Sequence, residues 1–138
     1  MMRTGFGEKD SIAWLTWTAM TLLVAAAALA VVGVPSVDLH GPLHRMGIMD
    51  PACGGTRSVY LFLHGDVARS LRYNPVGAVV IIGAVVLALR AVAGRLTGRW
   101  VSVSLPRHSA VAVAAVALLV LEINQQAHAD LLTSPWTG

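Results

Sequence analysis

A chain of 138 residues that is 56% hydrophobic and only 12% charged does not have the composition of a soluble domain, where about a quarter of residues carry charge. Its mean hydropathy is +0.68 and its pI about 9.8, but its basic residues flank apolar runs instead of forming a stripe, which excludes nucleic-acid binding. The apolar residues are clumped without strict alternation, which excludes an outer-membrane barrel and leaves an all-α, polytopic membrane protein.

The first apolar run, residues 12–34, holds no charged side chain. As a helix it reaches about 34 Å, enough to cross a bilayer core. Arg3 and Lys9 before it, with Ala28-Leu29-Ala30 inside it, sketch a cleaved leader. The run exceeds the roughly 7–15 residues of a leader's apolar region, and Trp14 and Trp17 suit the interfacial anchors of a retained span. A second run begins after Asn74-Pro75 and continues past Arg90. The third, residues 110–121, covers only about 18 Å, so its helix must extend to about His128 to cross. The chain therefore reads as one membrane domain, 1–138, a small bundle with spans near 12–34, 75–95 and 109–129 and a connector at 35–74.

Orientation is read from the basic residues. Arg3, Lys9, Arg90, Arg95, Arg99 and Arg107 share the N-terminal side, whereas Arg45, Arg57, Arg69 and Arg72 lie in the connector. The tail after the third span has Asp130 and no Lys or Arg. This balance places the N-terminus inside and the connector outside.

Extending the third span puts Glu122 in the outer half of the hydrocarbon. Glu122, Gln125, Gln126 and Ala129 then share one face, with Asn124 and His128 beside it. A carboxylate facing lipid is expensive, so this face is expected to turn inward and find partners. The other reading ends the helix at the interface near Glu122.

The connector supplies helix punctuation. Pro35 ends the first span, and Gly41, Pro42 and Gly47 keep the next stretch irregular. Thr56 is a candidate N-cap and Gly65 a candidate C′ residue of a short helix over 56–64. Asp66 caps a second helix over 66–73, and Asn74-Pro75 opens the next span with a cap and a proline at the first helical position. The first short helix is apolar on every side, so it belongs at the membrane interface. Cys53-Gly54-Gly55 permits a sharp turn that brings backbone N–H groups to a helix start, an arrangement that favours anions.

Residues Cys53, Gly54, Thr56 and Arg57, then His64, Gly65 and Asp66, then Asn74 and Pro75, resemble a bacterial membrane-protein family catalogued as domain of unknown function 2752. The resemblance is close over about 45–90. It implies a small inner-membrane protein of two or three helices, without an established activity. Members of that family usually carry Cys-Pro-x-Cys where this chain has Asp50-Pro51-Ala52-Cys53, so neither a dithiol nor a two-thiolate metal site is available within one chain. The family pattern also tends to end the last span with Arg-Asn, where Ile123-Asn124 stands here, with Glu122 just before.

These residues admit several chemical readings. Cys53 beside a Gly-Gly turn and Arg57 has neighbours that lower a thiol pKa, against the plainer reading of a small buried cysteine. His40, His44, His64, His108 and His128 show no ligand spacing, so neither metal nor other cofactor is expected. Arg57, Arg69 and Arg72 form a candidate anion or lipid-headgroup site, or snorkel from an interfacial helix. Arg57 and Glu122 are expected to form an intramembrane pair, supplemented by Asn124 or Gln125. The expected function is that of a non-catalytic accessory or assembly subunit, embedded in the bilayer beside other integral membrane proteins. A lipid-headgroup module, or an enzyme using Cys53, are the alternatives. The expected location is the bacterial cytoplasmic membrane.

Overall fold

A computed structural model describes residues 3–35, 49–104 and 106–136. In chain order it runs through β1 (Arg3–Gly7), α1 (Ala13–Val32), α2 (Gly55–Leu63), α3 (Val67–Tyr73), α4 (Pro75–Thr97), β2 (Trp100–Ser104), α5 (Arg107–Ala127) and α6 (Ala129–Thr133). Helices α1, α4 and α5 are each long and apolar enough to cross a membrane, and the two short helices lie between the first two of them. The readings at Gly41, Pro42 and Gly47, and those at His40, His44 and Arg45, fall outside the described residues.

Small residues set the packing of α1 on α4. Thr16, Ala19 and Ala26 are buried on α1, and Ala78, Ala84 and Ala91 on α4, while the buried Gly77 and Gly94 of α4 make room for Ser58 and Trp100. In a bilayer such faces allow backbones to approach closely, so dispersion contacts replace the hydrophobic drive that lipid cannot supply. Trp14, Val24, Val79, Val86 and Leu89 point outward and are exposed, as lipid-facing side chains should be. Helix α5 differs: residues 110–120 are exposed on every side.

At the end holding the N-terminus, β1 and β2 pair antiparallel with Gly5 opposite Ser102. This pair was not expected from the sequence. Asp10 fastens it to the spans, accepting from Ile12 N at 3.1 Å, Thr16 Oγ1 at 2.9 Å and Arg90 Nη1 at 2.9 Å. Burial pushes the Asp10 carboxyl up, but these hydrogen bonds and the Arg90 charge outweigh it and hold its pKa below the ordinary carboxylate value. Arg90 also donates through Nε to Val101 O and lies over the Trp100 ring. The charge inside the second span is thereby paired within the chain.

The connector forms the opposite end, and three of its four expected caps are in place. Asp66 accepts from Arg69 N at 3.0 Å, and Asn74 Oδ1 accepts from Val76 N at 3.0 Å with Pro75 at the first helical position. Gly65, at φ +85°, closes α2. Asp66 N donates to Leu61 O at 2.9 Å and Gly65 N to Phe62 O at 3.1 Å, the paired bonds of a Schellman motif. Thr56 is not the cap of α2. Gly54, at φ +72° and ψ 0°, takes that position with no side-chain cap, and its carbonyl accepts from Ser58 N at 2.8 Å. A left-handed residue lets the chain swing from the preceding turn into the helix, which a threonine further on cannot do.

A Cβ at Gly65 would meet no atom within 4 Å, so a substitution there reports backbone strain alone. Gly65→Val is expected to lower stability by about 1–2 kcal/mol or more, since a β-branched residue resists positive φ. Denaturant unfolding in detergent measures it; a wild-type midpoint would show that the helix break does not depend on this glycine.

Candidate functional site

Cys53 and Asn74, two of the residues that carry the resemblance, lie in a buried polar node at the connector end, whereas Thr56, His64 and Gly65 are exposed. The turn from Asp50 builds the node first. Asp50 O accepts from Cys53 N at 3.0 Å, Asp50 Oδ1 accepts from Ala52 N at 2.8 Å, and Ala52 O accepts from Gly55 N at 3.0 Å. The Asp50 carboxylate is thus a turn-forming side chain. The Gly55 N–H, one of the donors read as anion-facing, is already bonded to backbone.

Asn74 locks this turn to the start of α4. It is 2% exposed, and its Nδ2 donates to Pro51 O and Cys53 O, each at 3.0 Å. Its Oδ1 caps α4, so one amide uses both donors and an acceptor. Beside it, Ser58 Oγ donates to Asn74 O and lies 3.0 Å from Ser70 Oγ, which donates to Ser58 O at 2.8 Å. Both serines are fully buried, and Gly77 leaves the room that brings Ser58 against α4. Ser58, Ser70 and Gly77 do not stand out in the sequence as site residues. Their only signal there is small size in otherwise bulky helices.

Arg57 points elsewhere than expected. Its Nη1 donates to Ser134 O at 3.1 Å and Leu132 O at 3.4 Å, carbonyls at the end of α6. The guanidinium also lies 5.6 Å from the Trp136 ring centroid and 5.8 Å from that of Tyr73. Trp136 in turn meets Tyr60 and Tyr73 edge-on, with centroids 5.9 and 5.7 Å apart. The Arg57–Glu122 pair is therefore not formed; Glu122 makes no ion pair among the described residues. The physical reason is that helix-end carbonyls carry partial negative charge and satisfy a guanidinium without a second desolvated ion.

The polar face of α5 does turn inward in part. Gln125 is fully buried, Glu122 and Asn124 are half-buried, and Gln126 Oε1 accepts from Met49 N at 3.5 Å. Neither amide atom of Gln125, nor Asn124 Nδ2, has a hydrogen-bond partner among the described residues.

The candidate arginine site is not assembled as a unit. Arg57 is engaged by the C-terminal segment, Arg69 is exposed and 3.6 Å from Asp66, and Arg72 is exposed on α3. His64 Nδ1 lies 2.8 Å from Tyr60 O and His128 Nδ1 2.9 Å from Asn124 O. A carbonyl only accepts, so each ring carries its proton on Nδ1. No group of three metal-ligating side chains occurs among the described residues.

Cys53 is 4% exposed and packs with Met49, Leu61, Tyr73 and Leu132, its Sγ 3.8 Å from Met49 Sδ. Burial pushes its thiol pKa up, and the Asp50 carboxylate adds to this; the Arg57 charge and the Gly54 N–H only offset it in part. The arrangement suppresses the thiolate that nucleophilic chemistry needs. Alkylation at neutral pH is expected to run at least about tenfold slower than at the exposed cysteine of a Cys53→Ala/Thr133→Cys variant. Equal rates measured by mass spectrometry would contradict the burial and the raised pKa.

Comparison with known proteins gives one family match. The model of the family described as "Protein of unknown function (DUF2752)" matches residues 42–88, a segment that includes the Asp50 turn, α2, α3 and the first half of α4. No match was found among curated proteins or among solved structures.

Proposed function

We propose, from the premise that residues 42–88 belong to the DUF2752 family, that the chain is a non-catalytic accessory or assembly subunit of a larger membrane complex. Its setting in this reading is the bacterial cytoplasmic membrane, with the N-terminus inside and the connector outside. The observation that carries the reading is α5. Residues 110–120 are exposed all round, although the helix is long and apolar enough to cross a bilayer. Alanines 110, 112, 114, 115 and 117 leave its backbone open to close approach by another helix. The connector node fixes the other end of α5 through α6, so the helix is held out as a rigid rod. The motif residues serve in this reading as the mount and not as reacting groups.

Photo-crosslinking side chains placed at Val113, Ala114 and Ala117 in native membranes test the proposal. Adducts to one integral membrane protein are expected from adjacent positions, with loss of those adducts when Ala114 and Ala117 are changed to Leu. Adducts to lipid alone, from every face, would overturn it. Orientation is tested with Arg72→Cys in a Cys53→Ala background, where an impermeant maleimide is expected to label intact cells. Labelling only after lysis would invert the topology.

A further inference from the structure

A second feature lies at the opposite end and does not depend on the accessory-subunit reading. Between α1 and α4 runs a groove of about 150 Å³, walled by Thr16, Trp17 and Met20 on one side and Ala88 and Ala91 on the other, with Arg95 at its rim. Thr16 Oγ1 already donates to Asp10, so the groove offers an apolar wall below a single cation. The Arg95 guanidinium takes no hydrogen bond and no ion pair among the described residues. Arg90, little more than one turn earlier, is held by Asp10 through Nη1, by Val101 through Nε and by the Trp100 ring, while its buried Nη2 has no partner among the described residues. Two arginines on one helix end thus have opposite roles.

The geometry points to a binding site for an anionic glycerophospholipid of the leaflet on the N-terminal side. The upper part of one acyl chain lies in the groove and the phosphate meets Arg95. Trp17 is 68% exposed at the groove's edge, where an indole sits at the hydrocarbon–headgroup boundary. Charge selects the headgroup. Lys9, Arg99 and Arg107 are exposed at the same end as Arg95, Glu8 is the exposed acid there, and Asp10 is paired with Arg90. A zwitterionic headgroup would bring its ammonium among these cations with little to receive it, whereas an anionic headgroup meets Arg95 directly and leaves the other cations at screened distances.

The test is native mass spectrometry of the full chain in detergent, titrated with phosphatidylglycerol and phosphatidylcholine of identical acyl chains. Wild type is expected to prefer phosphatidylglycerol about fivefold or more, in line with about 1 kcal/mol per basic residue at an anionic surface. Arg95→Gln should abolish the preference, Arg95→Lys should keep it, and Arg107→Gln should leave it within about twofold. Ala88→Leu, which narrows the groove, should weaken both lipids. Absence of a preference in wild type, its survival in Arg95→Gln, equal loss in Arg107→Gln, or unchanged binding in Ala88→Leu would each overturn the site.

Discussion

Gly54→Ala is expected to lower stability by about 2–5 kcal/mol, the largest effect of any single methyl added to the connector. Two independent penalties meet at this residue. Its φ of +72° costs an L-residue about 1–2 kcal/mol. A Cβ there would also stand 2.5 Å from Leu132 Cδ2 and 2.9 Å from Tyr73 O. The leucine tip can move, but the Tyr73 carbonyl is backbone at the end of α3, and overpacking of this kind typically adds about 1–3 kcal/mol. Gly65 is the internal control, because its φ is also positive while its surroundings are open. Denaturation of both alanine variants in the same detergent should rank Gly54→Ala well below Gly65→Ala. Equal losses would mean that Leu132 and Tyr73 do not crowd Gly54.

Asn74→Ala is expected to be nearly as damaging, at about 2–4 kcal/mol. The substitution removes the donors to Pro51 O and Cys53 O and the acceptor for Val76 N. Each buried group left without a partner costs about 1–3 kcal/mol, and the small cavity left behind adds to it. Asn74→Asp separates the roles, since it keeps the cap on α4 but turns a carboxylate oxygen toward two carbonyls. Asn74→Asp should therefore lose at least as much as Asn74→Ala at neutral pH. Recovery to wild-type unfolding in Asn74→Asp would show that only the helix cap matters.

The parts of this fold that were legible in the sequence are those whose cause is local. Asp66, Gly65 and Asn74-Pro75 each act within about four residues of backbone, so residue type and position identify them. The three spans were visible because apolar length is itself the requirement for crossing a bilayer. Arg57's partners were not legible. Two of them are carbonyl oxygens at positions 132 and 134, which every residue possesses, and Trp136 reads as an ordinary interfacial tryptophan. Opposite charge made Glu122 the visible candidate, while partial charges at a helix end leave no mark in composition. The β1–β2 pair was missed for another reason. Trp-Val-Ser-Val-Ser at 100–104 does alternate, but Arg-Thr-Gly-Phe-Gly at 3–7 has glycines where a strand pattern would show side chains. Thr56 was misassigned because a hydroxyl is the usual cap, and a left-handed glycine performs the entry by backbone geometry instead.

The node also gives the glycines, the cysteine and Arg57 a shared purpose. Gly54 allows the close approach of Leu132, Cys53 packs against the same leucine, and Arg57 holds the carbonyls on either side of Thr133. The C-terminal segment is thereby bound to the connector, and α5 is anchored to it at its C-terminal end. That anchoring is tested most directly by amide hydrogen exchange across residues 129–136 in wild type, Arg57→Met and Glu122→Gln. Faster exchange in this segment is expected for Arg57→Met, with α4 unchanged, and wild-type exchange for Glu122→Gln. Unchanged protection in Arg57→Met, or loss of protection in Glu122→Gln, would contradict it.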